Sequence, residues 1–177
     1  MPPPFPVALV AYDDAWPQVA AHYAQILRAR GSNLVAVHHI GSTSVPGLAA
    51  KPIIDLMPVV MNLGKLDEHM PLVTALGFEW HGELGISERR YCTLSDENGG
   101  RLAQLHFFAV GSPNIARHLA FRDYLRAHPA AARACEREKR RARDLHPGDS
   151  HAYGDEKSAW IEAKEAEALA WLRAQNS

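Results

Sequence analysis

The run His39-Ile40-Gly41-Ser42-Thr43-Ser44-Val45-Pro46-Gly47-Leu48, followed by Lys51-Pro52-Ile53-Ile54-Asp55-Leu56, concentrates residues that could do chemistry. Gly41, Ser42 and Thr43 offer small side chains, hydroxyls and approachable amides, which suit phosphate oxygens. Pro46-Gly47 adds a rigid bend and a residue that tolerates close approach, and Lys51 adds a cation to the same loop. Asp55 places one carboxylate in an apolar row, where it could hold a divalent metal. The same residue types also make a routine strand-to-loop turn, and a lone buried aspartate is equally served by backbone amides or an arginine. This is not a Walker P-loop, because the spacing before Lys51 is wrong and Pro52 replaces the hydroxyl residue.

Further candidates lie downstream. Arg89-Arg90 precedes an expected strand; arginine forks suit phosphate oxygens, and arginines at strand ends are also commonly just solvated. Along Leu102–Ala109 the residues Leu102, Gln104, His106 and Phe108 share one face. His106 in that row reads as a satisfied core histidine, a metal ligand or a proton carrier. The run Arg133, Arg137, Lys139, Arg140, Arg141, Arg143 is interleaved with Glu136, Glu138 and Asp144, the pattern of a solvated helix face. Ten histidines include no HExxH cassette. His39-Ile40-Gly41-Ser42 approaches the HIGH signature of class I aminoacyl-tRNA synthetases, but no lysine-rich partner motif accompanies it.

These side chains need a scaffold, and hydrophobic periodicity supplies one. A helix is expected from Asp13-Asp14 to about Arg30, ended by Gly31-Ser32-Asn33, after a short edge strand over Val7 to Val10. Leu34 to Ile40 and Pro52 to Val60 read as buried strands flanking the glycine-serine loop. On the second, Ile53, Asp55, Met57 and Val59 face one way, and Ile54, Leu56, Pro58 and Val60 the other. A helix over Gly64 to Leu76 precedes an antiparallel meander through Phe78–Trp80, Arg90–Leu94 and Leu102–Val110. Ser112-Pro113, a capping hydroxyl before a proline at the first helical position, opens a helix to about His128. Two more helices follow, over about Ala130 to Leu145 and Ser150 to Ala174.

With 177 residues the chain suits one domain with a sizeable core. Its 47% hydrophobic and 22% charged residues are those of an ordinary globular protein, and the net charge of -1 argues against a polyanion such as nucleic acid as partner. Cys92 and Cys135 have no CxxC spacing, so neither a zinc knuckle nor a disulfide framework is expected. The amino-terminal residues lack the pattern of a secretory signal, and no segment approaches a spanning helix, so a cytoplasmic protein without membrane association is expected. Nothing in the residues sets an oligomeric state.

His39–Leu56, GELGI around Glu83, RRY at Arg89–Tyr91, LHFF at Leu105–Phe108 and GSPNIARHLAFRDYLRAHP from Gly111 resemble, in that order, the GrpB-like proteins. The resemblance runs from about Val7 to about Ile161. It implies the nucleotidyltransferase superfamily fold: one α+β domain over 1–177, with a polymerase-beta-like palm on a mixed or antiparallel sheet (about 7–110) and a helical segment (about 112–174). By position it implies that Gly41 and Ser42 hold a triphosphate and that Asp55 binds Mg²⁺ or Mn²⁺. Tyr153 and Lys157 fall where the family has a tyrosine and a lysine, and with Arg122 they are expected to wall the cleft. A similar domain follows dephospho-CoA kinase in some bacteria, which points to a nucleotide or coenzyme-A-related ligand.

Three positions depart from the pattern. Met57 stands where the superfamily's second acid would share a face with Asp55, and it is a poor ligand for a hard cation. Gln104 replaces the first histidine of a His-x-His pair, leaving Gln104 and His106 as the further metal donors. His38 stands where relatives often have an acid. Two readings follow: a metal-dependent nucleotidyltransferase, with Lys51, Arg89 and Arg90 offsetting developing charge, or a phosphometabolite-binding module on the same scaffold. A third is a protein that binds partners through its helical tail.

Overall fold

The computed structural model describes residues 2–31 and 33–175, so Ser32 of the expected helix-ending turn lies outside the described residues. Strands β1 (Leu34–Ile40), β2 (Ile54–Val60), β3 (Glu79–Trp80), β4 (Arg90–Ser95) and β5 (Arg101–Ala109) form one sheet in the order β1-β2-β5-β4-β3. The β2–β5 pair is parallel and the other three are antiparallel, so the sheet is mixed and the domain α+β. The parallel pair is decisive for the site. It sets Asp55 beside Gln104 across a gap of nearly fifty residues in sequence.

Alternation along β2 and β5 divides the molecule into two apolar layers. Ile54, Leu56 and Val60 join Ala103, Leu105 and Phe107 on one face. That face is covered by Trp16, Ala20 and Leu27 of α1 (Trp16–Arg28) and by Leu66 and Val73 of two short helices, α2 (Leu63–Glu68) and α3 (Met70–Thr74). Leu56 and Leu105 are fully buried there, so truncating either to alanine would cost about 2–5 kcal/mol. On the other face Ile40, Met57 and Phe108 pack against Ile115 and Leu119 of α4 (Pro113–Ala127). Helices α5 (Pro129–Leu145) and α6 (Ser150–Gln175) complete that side.

Some local expectations change. The single helix expected over Gly64 to Leu76 is two, because Pro71 lacks an amide proton and its ring crowds the preceding turn, leaving His69 at a break. Val7–Val10 is no strand: only Val10 bridges Ala50, while the Val7 amide donates to the Pro147 carbonyl and ties the segment to the helical tail. Ser112 precedes α4 as expected, yet its side chain makes no capping bond and its buried Oγ has no partner among the described residues.

Candidate functional site

The loop after β1 turns sharply at Gly41, with φ at 70° and ψ at -174°, and passes into a 3-10 turn over Ser42–Ser44. A side chain at Gly41 would lie 2.5 Å from Asp55 Oδ2, so only glycine lets this backbone rest against the carboxylate. Three contacts hold the loop. The Ser44 hydroxyl donates back to the Gly41 carbonyl, Arg126 donates twice to the Ser44 carbonyl at 2.9 and 2.7 Å, and Arg122 donates to the His39 carbonyl at 3.1 Å. Thr43 is buried and its hydroxyl pairs with His39 Nε2 at 2.9 Å.

Gly41, Ser42 and Thr43 line a cavity of about 290 Å³, with Asp55, Gln104 and His106 on its sheet side. The floor is an ordered chain of polar groups. Arg89 Nη1 donates to His106 Nδ1 at 3.5 Å, and because arginine can only donate, the ring proton belongs on Nε2. That Nε2 lies 3.5 Å from Asp55 Oδ1, so the carboxylate and the imidazole are oriented toward each other. His118 lines the same cavity, its ring 5.8 Å from that of His106. Burial first, then the positive charge of its neighbours, pushes its pKa down to about 3 and keeps it neutral.

Lys51, Lys139 and Lys157 line the cavity from the loop and from α5 and α6. Lys139 is only 4% exposed and donates to the Ala49 carbonyl. The Lys51 and Lys157 ammonium groups each sit 5.2 Å from the centre of the Tyr153 ring. Among the described residues none of the three has a carboxylate within ion-pair reach, while Glu165, the other acid lining the cavity, is held by Arg117 at 2.8 Å. Desolvation lowers the pKa of all three, pushing Lys51 and Lys139 down to about 8; the negative charge of Asp55 counters part of this at Lys51, and the nearby Lys157 cation lowers both further. The cavity therefore presents excess, poorly hydrated positive charge facing a glycine-serine loop and one aspartate.

Of the expected residues, Gly41, Ser42, Thr43, Lys51, Asp55, Gln104, His106, Arg122, Tyr153 and Lys157 come together here. The two other arginines do not line it. Arg90 is turned away and gives its fork to Asp67 at 2.6 and 2.8 Å. Arg89 is buried and spent on the Glu83 and Leu84 carbonyls, so it positions His106 and is not free for a phosphate. Arg122 clamps the loop and pairs with Asp123, which commits most of its donors. Lys139 corrects the expectation of a wholly solvated basic face on α5. It shares the buried side of that helix with Cys135 and Ala142, a spacing that was there to be read.

A metal must be tested against these donors. Met57 is fully buried between Ile40 and Phe108, so the place of a second carboxylate is filled with apolar packing. No group of three or more His, Cys, Asp or Glu residues among the described ones forms a metal cage. The residues fit one divalent cation held by Asp55, with Gln104 alongside, if phosphate oxygens complete its shell; His106, its Nδ1 taken by Arg89 and its Nε2 proton turned toward Asp55, orients that carboxylate and does not ligate, and a pair of ions does not fit.

The fold resembles the nucleotidyltransferase-like palm region of the Cid1 poly(U) polymerase: the chain superposes on that protein bound to Mg and 3′-dATP with a TM-score of 0.54 at 13% identity, over 84% of this chain and 49% of that one. Within that fold class the chain belongs to the GrpB family, whose model matches residues 6–167. It is similar to the crystal structure of the conserved protein GrpB from Enterococcus faecalis, with a TM-score of 0.86 and 37% identity over 93% of this chain and 99% of that one. It is 36% identical to the UPF0157 protein YqkA of Bacillus subtilis over 97% of this chain, and 29% identical to a dephospho-CoA kinase of Mycolicibacterium paratuberculosis over 94%. It spans only 50% and 46% of those two relatives' lengths. Among the described residues no helix is long and apolar enough to cross a membrane.

Proposed function

We propose that the cavity binds the polyphosphate of a nucleoside triphosphate or a coenzyme-A-related ligand, with one Mg²⁺ or Mn²⁺ shared between that polyphosphate and Asp55. The observation that carries this reading is the trio Lys51, Lys139 and Lys157, desolvated around one cavity with Asp55 acting on two of them only at a distance and no ion-paired carboxylate among the described residues. Burying such charge is costly unless an anion compensates it. The glycine-serine loop, pressed against Asp55 and clamped by Arg122 and Arg126, supplies a rigid wall for phosphate oxygens. The similarity to a dephospho-CoA kinase is consistent with a ligand of the coenzyme A type.

A second reading, nucleotidyl transfer, is favoured by the Asp55–His106 pair. In that reaction an acceptor hydroxyl attacks the α-phosphorus, the α–β bridging bond breaks, and pyrophosphate leaves with the electron pair. Asp55, oriented by the His106 N–H, takes the hydroxyl proton, and the lysines offset the charge gathering on the pyrophosphate. A bound cation would add charge neutralisation on the phosphate oxygens.

Calorimetry with nucleoside triphosphates and tripolyphosphate, with and without Mg²⁺, tests the first reading. Binding that weakens at least tenfold in Lys139→Gln and loses its Mg²⁺ dependence in Asp55→Asn is expected; binding indifferent to both changes defeats it. Pyrophosphate release on adding candidate hydroxyl acceptors, abolished by Asp55→Asn, would establish transfer as well.

A further inference from the structure

A second recess adjoins the Asp55 cavity. Arg101 begins β5 opposite Ser95 of β4 and reaches toward Phe5, with its guanidinium 6.0 Å from the ring centre. Its Nε and Nη1 are shielded from solvent, and neither has a hydrogen-bond partner among the described residues. Buried donors of a permanent cation left unsatisfied are a standing cost, which an anionic acceptor would remove.

The recess has a volume of about 200 Å³, and Lys51, Arg101, Gln104, Tyr91, Phe5 and Ser150 help to line it. No acidic side chain is among its lining residues. Lys51 and Gln104 also line the Asp55 cavity, so the two spaces adjoin at those side chains. The Ser150 Oγ accepts the Phe5 amide at 3.2 Å, which draws the amino-terminal segment across the recess and leaves the hydroxyl proton to be donated. A residue with a permanent guanidinium, one with an ammonium and one with a hydroxyl therefore border one partly open recess, and this donor set matches the oxygens of a phosphate monoester.

We propose that Arg101, Lys51 and Ser150 form a second phosphate subsite, distinct from the polyphosphate site that the preceding reading places at Asp55. That phosphate belongs either to the same ligand, bound across Lys51 and Gln104, or to a separate phosphorylated molecule.

The test is calorimetry on the full chain saturated with tripolyphosphate, then titrated with inorganic phosphate. The wild type should take up one further phosphate, and Arg101→Gln should weaken that uptake at least tenfold while tripolyphosphate affinity changes less than twofold. Absence of a second equivalent, or equal phosphate affinity in the variant, overturns the subsite and leaves the polyphosphate reading standing. Arg101-dependent phosphate binding without tripolyphosphate binding does the reverse. Competition with a nucleoside 3′,5′-bisphosphate distinguishes the sources: displacement of both anions by one equivalent assigns them to one molecule, and displacement of tripolyphosphate alone assigns the second phosphate to another. Arg101→Met supplies a control for folding. It should melt higher than the wild type in phosphate-free buffer, with the difference shrinking as phosphate is added; a lower melting temperature would contradict the idea that Arg101 awaits an acceptor.

Discussion

Replacing Gly41 by alanine separates two effects that usually occur together, backbone strain and a steric clash. Gly41 lies at φ 70° and ψ -174°, a region populated almost only by glycine, where a side chain costs about 1–3 kcal/mol. An alanine methyl there would also meet Asp55 Oδ2 at 2.5 Å and Asp55 Cβ at 3.0 Å. The carboxylate must then leave its position, at a further cost of about 0.5–1.5 kcal/mol for an off-rotamer side chain. Gly47 provides the control, since its φ is 78° but nothing lies within 4 Å of an added Cβ, so Gly47→Ala should cost about 1–2 kcal/mol from backbone alone. The paired urea titrations should place Gly41→Ala about 0.5–2.5 kcal/mol below Gly47→Ala, with melting temperatures separated by roughly 1–10 °C. Calorimetry should show that only Gly41→Ala loses Mg²⁺-dependent polyphosphate binding. Equal stability losses, or intact binding in Gly41→Ala, would refute the claim that this glycine exists to let the loop rest against the aspartate.

Met57→Asp should not create a two-ion site: introducing a carboxylate between Ile40 and Phe108 should destabilise the chain by about 3–5 kcal/mol, measured by urea unfolding, and a stably folded variant with newly tight Mg²⁺ binding would contradict this. Arg90→Ala loses an ion pair with the 42% exposed Asp67 side chain and should cost about 0–1 kcal/mol with unchanged tripolyphosphate affinity, whereas Arg89→Ala, which strips donors from the Glu83 and Leu84 carbonyls and from His106, should cost about 2–4 kcal/mol. Polyphosphate affinity should fall as pH rises through about 8, because Lys51 and Lys139 lose their charge there, and binding near that pH should be accompanied by proton uptake; affinity that is flat from pH 7 to 9 would remove these lysines from the site. In the ligand-free chain their effect on stability has the opposite sign. The unfolded state, with lysines near 10.5, binds more protons than the folded state above about 8, so these two groups make stability rise with pH across that window.

Alternation along β2 is enough to put Asp55 and Met57 on one face and Ile54, Leu56 and Val60 on the other. The same period on β5 puts Gln104, His106 and Phe108 together, because side chains two apart on a strand must share a side. The composition of the 41–44 loop likewise announced a tight, hydroxyl-bearing bend. Lys139 was also legible, since its spacing from Cys135 and Ala142 marks the buried side of α5, and the abundance of neighbouring charges concealed it. Tertiary structure alone decided the rest. The parallel pairing of β2 with β5 brings Asp55 to His106, and the packing of α5 and α6 carries Lys139 and Lys157 to the same cavity. Of the adjacent pair Arg89 and Arg90, alternation says only that the two point oppositely. Which one is buried beneath His106 and which meets Asp67 depends on the layers that happen to lie above and below, and local periodicity holds no information about long-range neighbours.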